Sequence, residues 1–348
     1  MEISIRDRDY ETLKTQIQTL QAKRKVIDQC CITNNIDVLK WVFSQCNHIE
    51  KNKLLYTNDK NALKVAFEYG SVDICKWLYS IKYITNSETE LFRISCGNGQ
   101  LELSRWIRSL HQLDDTFAKK FILSCDKFGH NAFTYACIHG HLPTVRWLYS
   151  VIPKNYQALL LSERNYYVFR IICHYEHANV LKWLLITNGV HVNQKMIFAN
   201  RNVFVRLVKK YRFELAKLIF SHTFGNFRVA LSNTIIRYKK EYIKDGAAEM
   251  FKWYISIAGL IGLNWCFCES CEHGQLEIIK CIDNVCKFDK SLYYYGCKKA
   301  CRGRHADVVY WILDNYLDYL DLDIVNGEFE LIKRIWFRRW EHLTLYFD

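Results

Sequence analysis

The chain has 348 residues, of which 50% are hydrophobic and 15% aromatic, and so apolar a composition excludes a disordered chain. Two prolines and 14 glycines favour a mostly helical protein with short connections. The 48 Lys and Arg residues against 36 Asp and Glu give a formal net charge of +12, which favours acidic partners and does not by itself indicate nucleic acid.

The first residues, Met1 to Asp7, lack the apolar run of a signal peptide. We therefore expect a cytoplasmic protein whose 15 cysteines are free thiols. A helix is predicted from about Tyr10 to Lys25, and residues 1–25 are interpreted as an N-terminal capping helix.

One phrase recurs along the rest of the chain. Its clearest copies are YGSVDICKWLYS at 69–80, NGQLELSRWIRS at 98–109 and HGHLPTVRWLYS at 139–150. The position that glycine occupies in the clearest copies serves as the origin of every copy. The ten origins are Asn34, Gly70, Gly99, Gly140, Glu176, Tyr211, Gly246, Gly274, Arg304 and Gly327. The origins are about 33 residues apart on average, with steps from 23 to 41. Such a period predicts stacked supersecondary units, since one unit cannot bury its apolar face alone.

Each position after the origin has its own residue type. The third residue after the origin is usually acidic and the sixth is usually basic. We interpret the two as a solvated pair on the helix surface. Tryptophan comes seventh in seven copies, and we interpret these rings as core: Trp41, Trp77, Trp106, Trp147, Trp183, Trp253 and Trp311. Six copies have a cysteine three residues before the origin, where free Cys acts as a small buried hydrophobe.

The segments NAFTYACIHGHL at 131–142 and NALKVAFEYGSV at 61–72 resemble the ankyrin repeat, T-P-L-H-x-A-A-x-x-G-H-L. Asn61 and Asn131 stand in place of its Thr and can cap a helix equally well. Proline is absent from the T-P position throughout. Tryptophan-bearing copies of this sort resemble those of large DNA viruses and of bacteria living inside amoebae.

The resemblance implies an all-α solenoid of about ten stacked, degenerate ankyrin-type helical hairpins over residues 26–334, with 335–348 as a C-terminal cap or tail. It also implies a non-enzymatic protein–protein interaction scaffold without cofactors, which binds a host protein in the cytosol. In the ankyrin pattern, the residues five and two before each origin face the concave side. The predicted partner-binding residues are therefore Tyr135, Ile138, Arg206, Lys209, Lys244, Lys299 and Arg302. This strip is apolar early in the chain and charged later, which suits a protein partner with an acidic or mixed surface.

Other hypotheses remain open from the sequence. A basic scaffold could bind nucleic acid, although we consider nucleic acid the less favoured partner. The tail Ile335–Phe347 could recruit a ubiquitin ligase. Cys266, Cys268, Cys271 and His273 could bind zinc, although their spacing fits no familiar zinc pattern. The apolar stretch Trp253–Cys268 has 16 residues, short of the roughly 20 that a membrane helix needs, so no membrane partner is expected.

Overall fold

The computed structural model describes residues 8–56, 62–81, 88–112 and 115–316, and every regular element within these ranges is a helix. The predicted all-α class is therefore confirmed for these residues. They divide after Gly189 into two compact units. The predicted continuation of one stack through both units stays a prediction.

The helices of the first unit are α1 Tyr10–Gln16, α2 Leu20–Thr33, α3 Ile36–Ser44, α4 His48–Tyr56, α5 Ala62–Tyr69, α6 Val72–Ser80, α7 Glu88–Gly97, α8 Leu101–Ser109, α9 Asp115–Phe117 with the π-helical turn Ala118–Leu123, α10 Ala132–Ile138, α11 Leu142–Val151 and α12 Lys154–His174. Helix α13, Ala178–Ala199, is interrupted at Gly189, where the division between the units falls. The helices of the second unit are α14 Arg201–Lys209, α15 Phe213–Ser221, α16 Gly225–Arg237, α17 Lys239–Lys244, α18 Ala248–Ala258, α19 Leu263–Glu272, α20 Leu276–Val285, α21 Lys290–Gly303 and α22 Ala306–Tyr316.

The predicted origins are the turns between paired helices. Nine of the ten lie within the described residues, and all nine have a positive φ, from 53° at Asn34 to 79° at Gly70. The next residue donates its backbone N–H to the carbonyl five residues earlier, as from His141 to Ala136 at 3.0 Å. This is the Schellman arrangement, which satisfies a carbonyl at the end of the first helix. The second helix begins two residues after the origin in each of these nine hairpins.

The residue after the origin also links one hairpin to the one before it. In four hairpins its side chain donates to a carbonyl in the last turn of the preceding hairpin's first helix. The donors and acceptors are His177 and Ile138 (2.7 Å), His305 and Glu272 (3.0 Å), Gln275 and Lys244 (3.3 Å), and Gln100 and Glu68 (3.4 Å). Because this side chain crosses the preceding turn, a Cβ on Gly140 would lie only 2.4 Å from His177 Nδ1. Glycine is therefore favoured there by both its φ and the close approach.

Aromatic rings connect the second helices of successive hairpins. A tryptophan packs edge-on against the ring nine residues after the preceding origin. The pairs and their centroid distances are Trp77 and Phe43 (5.2 Å), Trp106 and Tyr79 (5.2 Å), Trp183 and Tyr149 (5.3 Å), and Trp253 and Phe220 (5.4 Å). Such edge-to-face pairs add about 0.5–1.5 kcal/mol beyond the area that they bury. Trp253 is core at 7% exposed, whereas the other six tryptophans of this phase are half-buried.

The first helices pack on one another within each unit. In the first unit α2, α5, α7, α10 and α12 contact in that order, and in the second unit α17 contacts α19, which contacts α21. The six cysteines predicted at the packing position are all buried: Cys31, Cys96, Cys137, Cys173, Cys271 and Cys301. A small apolar side chain at this position lets neighbouring helices approach closely.

Local signals explain where the structure differs from the sequence prediction at the N-terminus. The single helix predicted from Tyr10 to Lys25 is two helices, because the Thr19 side chain accepts from Ala22 N–H at 3.1 Å and starts a new one. Leu20–Thr33 is then the first helix of the first hairpin. Asn131 caps α10 as predicted, with Oδ1 2.8 Å from Thr134 N.

Other predictions concern the apolar stretch and segments beyond the described ranges. The stretch Trp253–Cys268 is shared between α18 and α19, and it breaks at Gly259 and Gly262, which both have positive φ. Within the described ranges, no helix combines the length and apolarity needed to cross a membrane. Asn61, the tenth origin Gly327 and the tail 335–348 lie outside the described residues.

We expect Gly140→Ala to lower the free energy of unfolding by about 2 kcal/mol, because a β-carbon is strained at this φ and would also displace His177. In a His177→Ala background, the same substitution should cost about 1 kcal/mol less, since the crowding is gone. Urea denaturation of the four proteins measures both costs. Equal costs in the two backgrounds would show that His177 does not constrain this turn.

Candidate partner-binding surface

The predicted partner-binding residues lie on the first helices of their hairpins. Tyr135 and Ile138 are on α10, Arg206 and Lys209 on α14, Lys244 on α17, and Lys299 and Arg302 on α21. Tyr135, Ile138 and Lys299 are half-buried, and the other four are exposed. Tyr135 and Ile138 thus belong to the first unit and the remaining five residues to the second.

In two places, the residue two before one origin lies next to the residue five before the following origin. A Cβ on Gly97 would lie 3.4 Å from Tyr135 Cβ. Lys299 Nζ lies 2.5 Å from Glu272 Oε2 and 3.7 Å from Glu269 Oε1. The hydrogen bond from Lys299 to Glu272 holds the pKa of the lysine above its usual value. Lys299 is therefore neutralised within the strip, and its charge is less available to a partner than the sequence indicates.

A groove of about 610 Å³ opens on the first-helix face of the first unit. It runs between α7 and α10 and is closed at one side by the loop at 125–130. Among the residues that line it are Arg93, Ile94, Gly97, Lys127, Phe128 and Tyr135. Three of the expected strip positions, Ile94, Gly97 and Tyr135, thus come together in one depression. Ile138 does not line the groove, and its carbonyl accepts from His177 instead.

Asp126 organises the loop beside the groove. Its carboxylate accepts from Tyr135 Oη at 2.6 Å and from the backbone N–H groups of Phe128 and His130, both at 2.9 Å. Burial raises the pKa of Asp126, but these hydrogen bonds outweigh burial and hold the pKa below its usual value. The loop is thereby fixed with Phe128 pointing out, 63% exposed.

The next helix braces the same loop. Arg164 donates to the Gly129 carbonyl at 2.8 Å, and His130 Nε2 lies 2.8 Å from Tyr167 Oη. Arg164, Asn165 and Tyr166 all have left-handed φ, from 50° to 57°, where α12 is interrupted. Three consecutive non-glycine residues in this region store strain, and one of them, Arg164, makes the contact with the loop.

The groove combines an exposed ring with cations that pair with no described carboxylate. Lys64 and Glu90 pair at 3.8 Å at its edge. Within the described part of the chain, neither Arg93 nor Lys127 forms an ion pair, and Lys127 Nζ lies 5.1 Å from the centre of the Phe128 ring. This arrangement can accept an apolar side chain next to a carboxylate.

The sequence reasoning missed Arg93, Lys127 and Phe128. Arg93 lies six residues before its origin, outside the predicted strip. Lys127 and Phe128 lie in the interval between Gly99 and Gly140, which is the longest of all at 41 residues. This interval is longer than the mean spacing between origins, and its extra length is the signal that could have located the loop.

The thiols of the first helices are poorly suited to nucleophilic chemistry. Burial raises the pKa of Cys96 to about 12, so this thiol is protonated at neutral pH. Burial also raises the pKa of Cys266, Cys268 and Cys271, which are all buried in or beside α19. Among the described residues, no three His, Cys, Asp or Glu side chains are grouped so that they could hold a metal ion.

A buried carboxylate anchors the last described helices. Asp283 Oδ1 accepts from Tyr293 Oη at 2.6 Å and from Tyr316 Oη, while Lys287 Nζ lies 2.5 Å from Oδ2. Burial raises the pKa of Asp283, yet hydrogen bonds from the lysine and the two tyrosines lower it below its usual value. With both oxygens engaged, this carboxylate fastens α20, α21 and α22 together.

Comparison with known proteins leaves the family open. The chain matches no protein-family model, and no curated protein matches its sequence.

We expect Tyr135→Phe to lower the free energy of unfolding by about 1–2 kcal/mol at pH 7, because it removes a donor to the Asp126 carboxylate and keeps the ring. The folded-state pKa of Asp126 is depressed, so its contribution is present above the ordinary value of 3.8 and is lost as the pH falls through the folded value. The difference in free energy of unfolding between Tyr135→Phe and the unaltered chain should therefore become smaller as the pH falls from 7 to about 3. Urea titrations at both pH values measure this difference, and a pH-independent one would contradict the assigned bond.

Proposed function

We propose that the chain is a divergent ankyrin-type repeat protein, a non-enzymatic solenoid scaffold that binds another protein. Support comes from the repeated hairpins with a left-handed turn, a mean spacing of about 33 residues and a second helix that begins two residues after each described turn. The resemblance to ankyrin copies of large DNA viruses and amoeba-associated bacteria makes a host protein in the cytosol the proposed partner.

One observation carries the binding assignment: the groove between α7 and α10 presents an exposed aromatic ring beside cations that form no ion pair with another described residue. Phe128 is 63% exposed at the tip of a loop that is itself held rigidly by Asp126. Arg93 and Tyr135 line the same depression. Aromatic residues and arginine are enriched in the energetic centres of protein interfaces, and a rigid loop loses little entropy on binding.

The charge of the groove selects the partner. Arg93 and Lys127 have no ion pair within the described residues, whereas Glu90 is paired with Lys64 and Asp126 is occupied by internal donors. An incoming carboxylate would therefore meet two cations, while the carboxylates of Glu90 and Asp126 are already engaged. We propose that the bound segment places an acidic side chain next to an apolar one.

We expect Phe128→Ala and Arg93→Glu each to weaken partner binding at least tenfold, or about 1.4 kcal/mol. Affinity capture from host-cell lysate with quantitative mass spectrometry compares each variant with the unaltered chain. Arg105→Glu is the matched control, because Arg105 is exposed on the second helix α8 and should leave capture unchanged. Tyr135→Ala should also weaken capture, and its melting temperature should fall because it removes the hydrogen bond to Asp126. Ile138→Asp, at the strip position outside the groove, should weaken capture with a melting temperature close to that of the unaltered chain. A partner retained by all the groove variants would exclude this surface.

The same capture, run with and without nuclease, separates protein from nucleic-acid partners. Binding through DNA or RNA phosphates weakens steeply with salt, by about one log unit of affinity per log unit of salt for each contact. We expect the captured partner to survive nuclease and to show a shallow salt dependence, because among the described residues the groove offers two cations, Arg93 and Lys127, that form no ion pair.

A further inference from the structure

A second depression, of about 480 Å³, lies in the second unit between α15, α16 and α18. Two of these helices, α15 and α18, are second helices of their hairpins, and none of the predicted partner-binding residues lines the depression. Its floor is aromatic, since the rings of Phe213 and Phe220 pack edge-on against Trp253 at 5.7 and 5.4 Å. Phe220 and Trp253 are only 6% and 7% exposed, so this floor is rigid and closed.

Cations surround this floor. Lys217 Nζ lies 5.1 Å from the centre of the Phe213 ring, and the Arg228 guanidinium lies 4.7 Å from that of Phe220. The rings thus hold both heads at the depression. Within the described part of the chain, neither Lys217 nor Arg228 forms an ion pair.

Among the described residues that line the depression, the one carboxylate is already paired with a lysine. Glu249 Oε1 lies 2.7 Å from Lys252 Nζ, and both residues line the depression. Three cations therefore face one carboxylate, and the surplus belongs to Lys217 and Arg228. Such a site favours an anion that carries up to two negative charges.

The ring arrangement discriminates between anionic ligands. Single-stranded nucleic acid needs exposed ring faces on which bases can stack. Here Phe220 and Trp253 are buried. Lys217 lies over the ring of Phe213, and Arg228 lies over the ring of Phe220. A phosphorylated side chain needs no stacking platform. It carries close to two negative charges at neutral pH and three acceptor oxygens, which match a guanidinium and an ammonium.

We propose that the depression between α15, α16 and α18 binds a phosphorylated side chain of a protein partner, with Lys217 and Arg228 as its anion ligands. This site is separate from the groove between α7 and α10 and does not depend on the function proposed for that groove. The chain would then recognise a phosphorylation state of a partner as well as its sequence.

The test uses the full chain and fluorescein-labelled degenerate peptide pools centred on phosphoserine, phosphothreonine or phosphotyrosine. Matched pools carry the unmodified residue or glutamate at the centre, and fluorescence anisotropy measures affinity. We expect at least one phosphorylated pool to bind ten or more times more tightly than both its unmodified and its glutamate counterparts. Equal affinity for phosphorylated and unmodified pools, or for phosphorylated and glutamate pools, would overturn the proposal.

Variants locate the binding. Arg228→Gln and Lys217→Gln should each weaken the phosphorylated pool at least fivefold. Lys182→Gln is the matched control, because Lys182 is exposed and occupies in its own hairpin the position that Lys217 occupies in its hairpin. All three substitutions are at exposed positions, and thermal melting confirms that each variant is folded. Unchanged affinity in Arg228→Gln and Lys217→Gln would place phosphate binding elsewhere and refute this site.

A labelled 20-residue oligodeoxythymidine tests the competing ligand class. We expect it to bind weakly and to leave phosphopeptide binding intact. If it displaces the phosphopeptide and loses affinity in Arg228→Gln and Lys217→Gln, the depression is a nucleic-acid site and the phosphopeptide proposal is wrong.

Discussion

The structure depends on one repeated constraint, the left-handed turn residue between the two helices of each hairpin. Its positive φ allows the following N–H to close the end of the first helix, and the second helix then begins at a constant offset. The next hairpin uses the same place, since a side chain such as His177 crosses Gly140 to reach the Ile138 carbonyl. One backbone conformation thus sets both the angle within a hairpin and the distance between hairpins. The adjoining strip positions, Gly97 beside Tyr135 and Lys299 beside Glu272, follow from that distance.

The periodic part of this fold is predictable because it depends on local chemistry. Glycine at the turn, small residues such as Cys137 three positions before it and apolar positions in the second helix can be recognised without tertiary information. The left-handed turns at Glu176, Tyr211 and Arg304 carry no glycine, yet the phrase around them still located them. Where contacts between distant residues decide the backbone, prediction fails. Of the left-handed residues Arg164 to Tyr166, Arg164 donates to the Gly129 carbonyl, 35 residues earlier, and no local pattern indicates this conformation.

The candidate site shows the same division. The period places Tyr135 next to Gly97, but it does not show which strip residues remain available to a partner. Lys299 forms ion pairs with Glu269 and Glu272 of the preceding hairpin. A lysine in the sequence is therefore not always available to a partner. Conversely, Arg93 and Phe128 line the groove from outside the strip. Arg93 is on α7, whereas Phe128 lies in the loop formed by the longest interval between origins. Residue types in an insertion can be read from sequence, whereas the side on which the insertion packs depends on tertiary contacts such as Tyr135 to Asp126.

The net charge of +12 therefore says little until the pairing of each cation is known. Lys252, Lys280 and Lys287 each lie within 3 Å of a carboxylate oxygen, and their fields are largely offset. Lys127, Lys217 and Arg228 lie over aromatic rings, and none of them pairs with a carboxylate of another described residue. A ring supports a cation without cancelling its charge, so these positions keep full attraction for an incoming anion and offer it an apolar surface as well. In the two depressions such cations can attract a short acidic or phosphorylated protein segment, which is the kind of partner proposed for them.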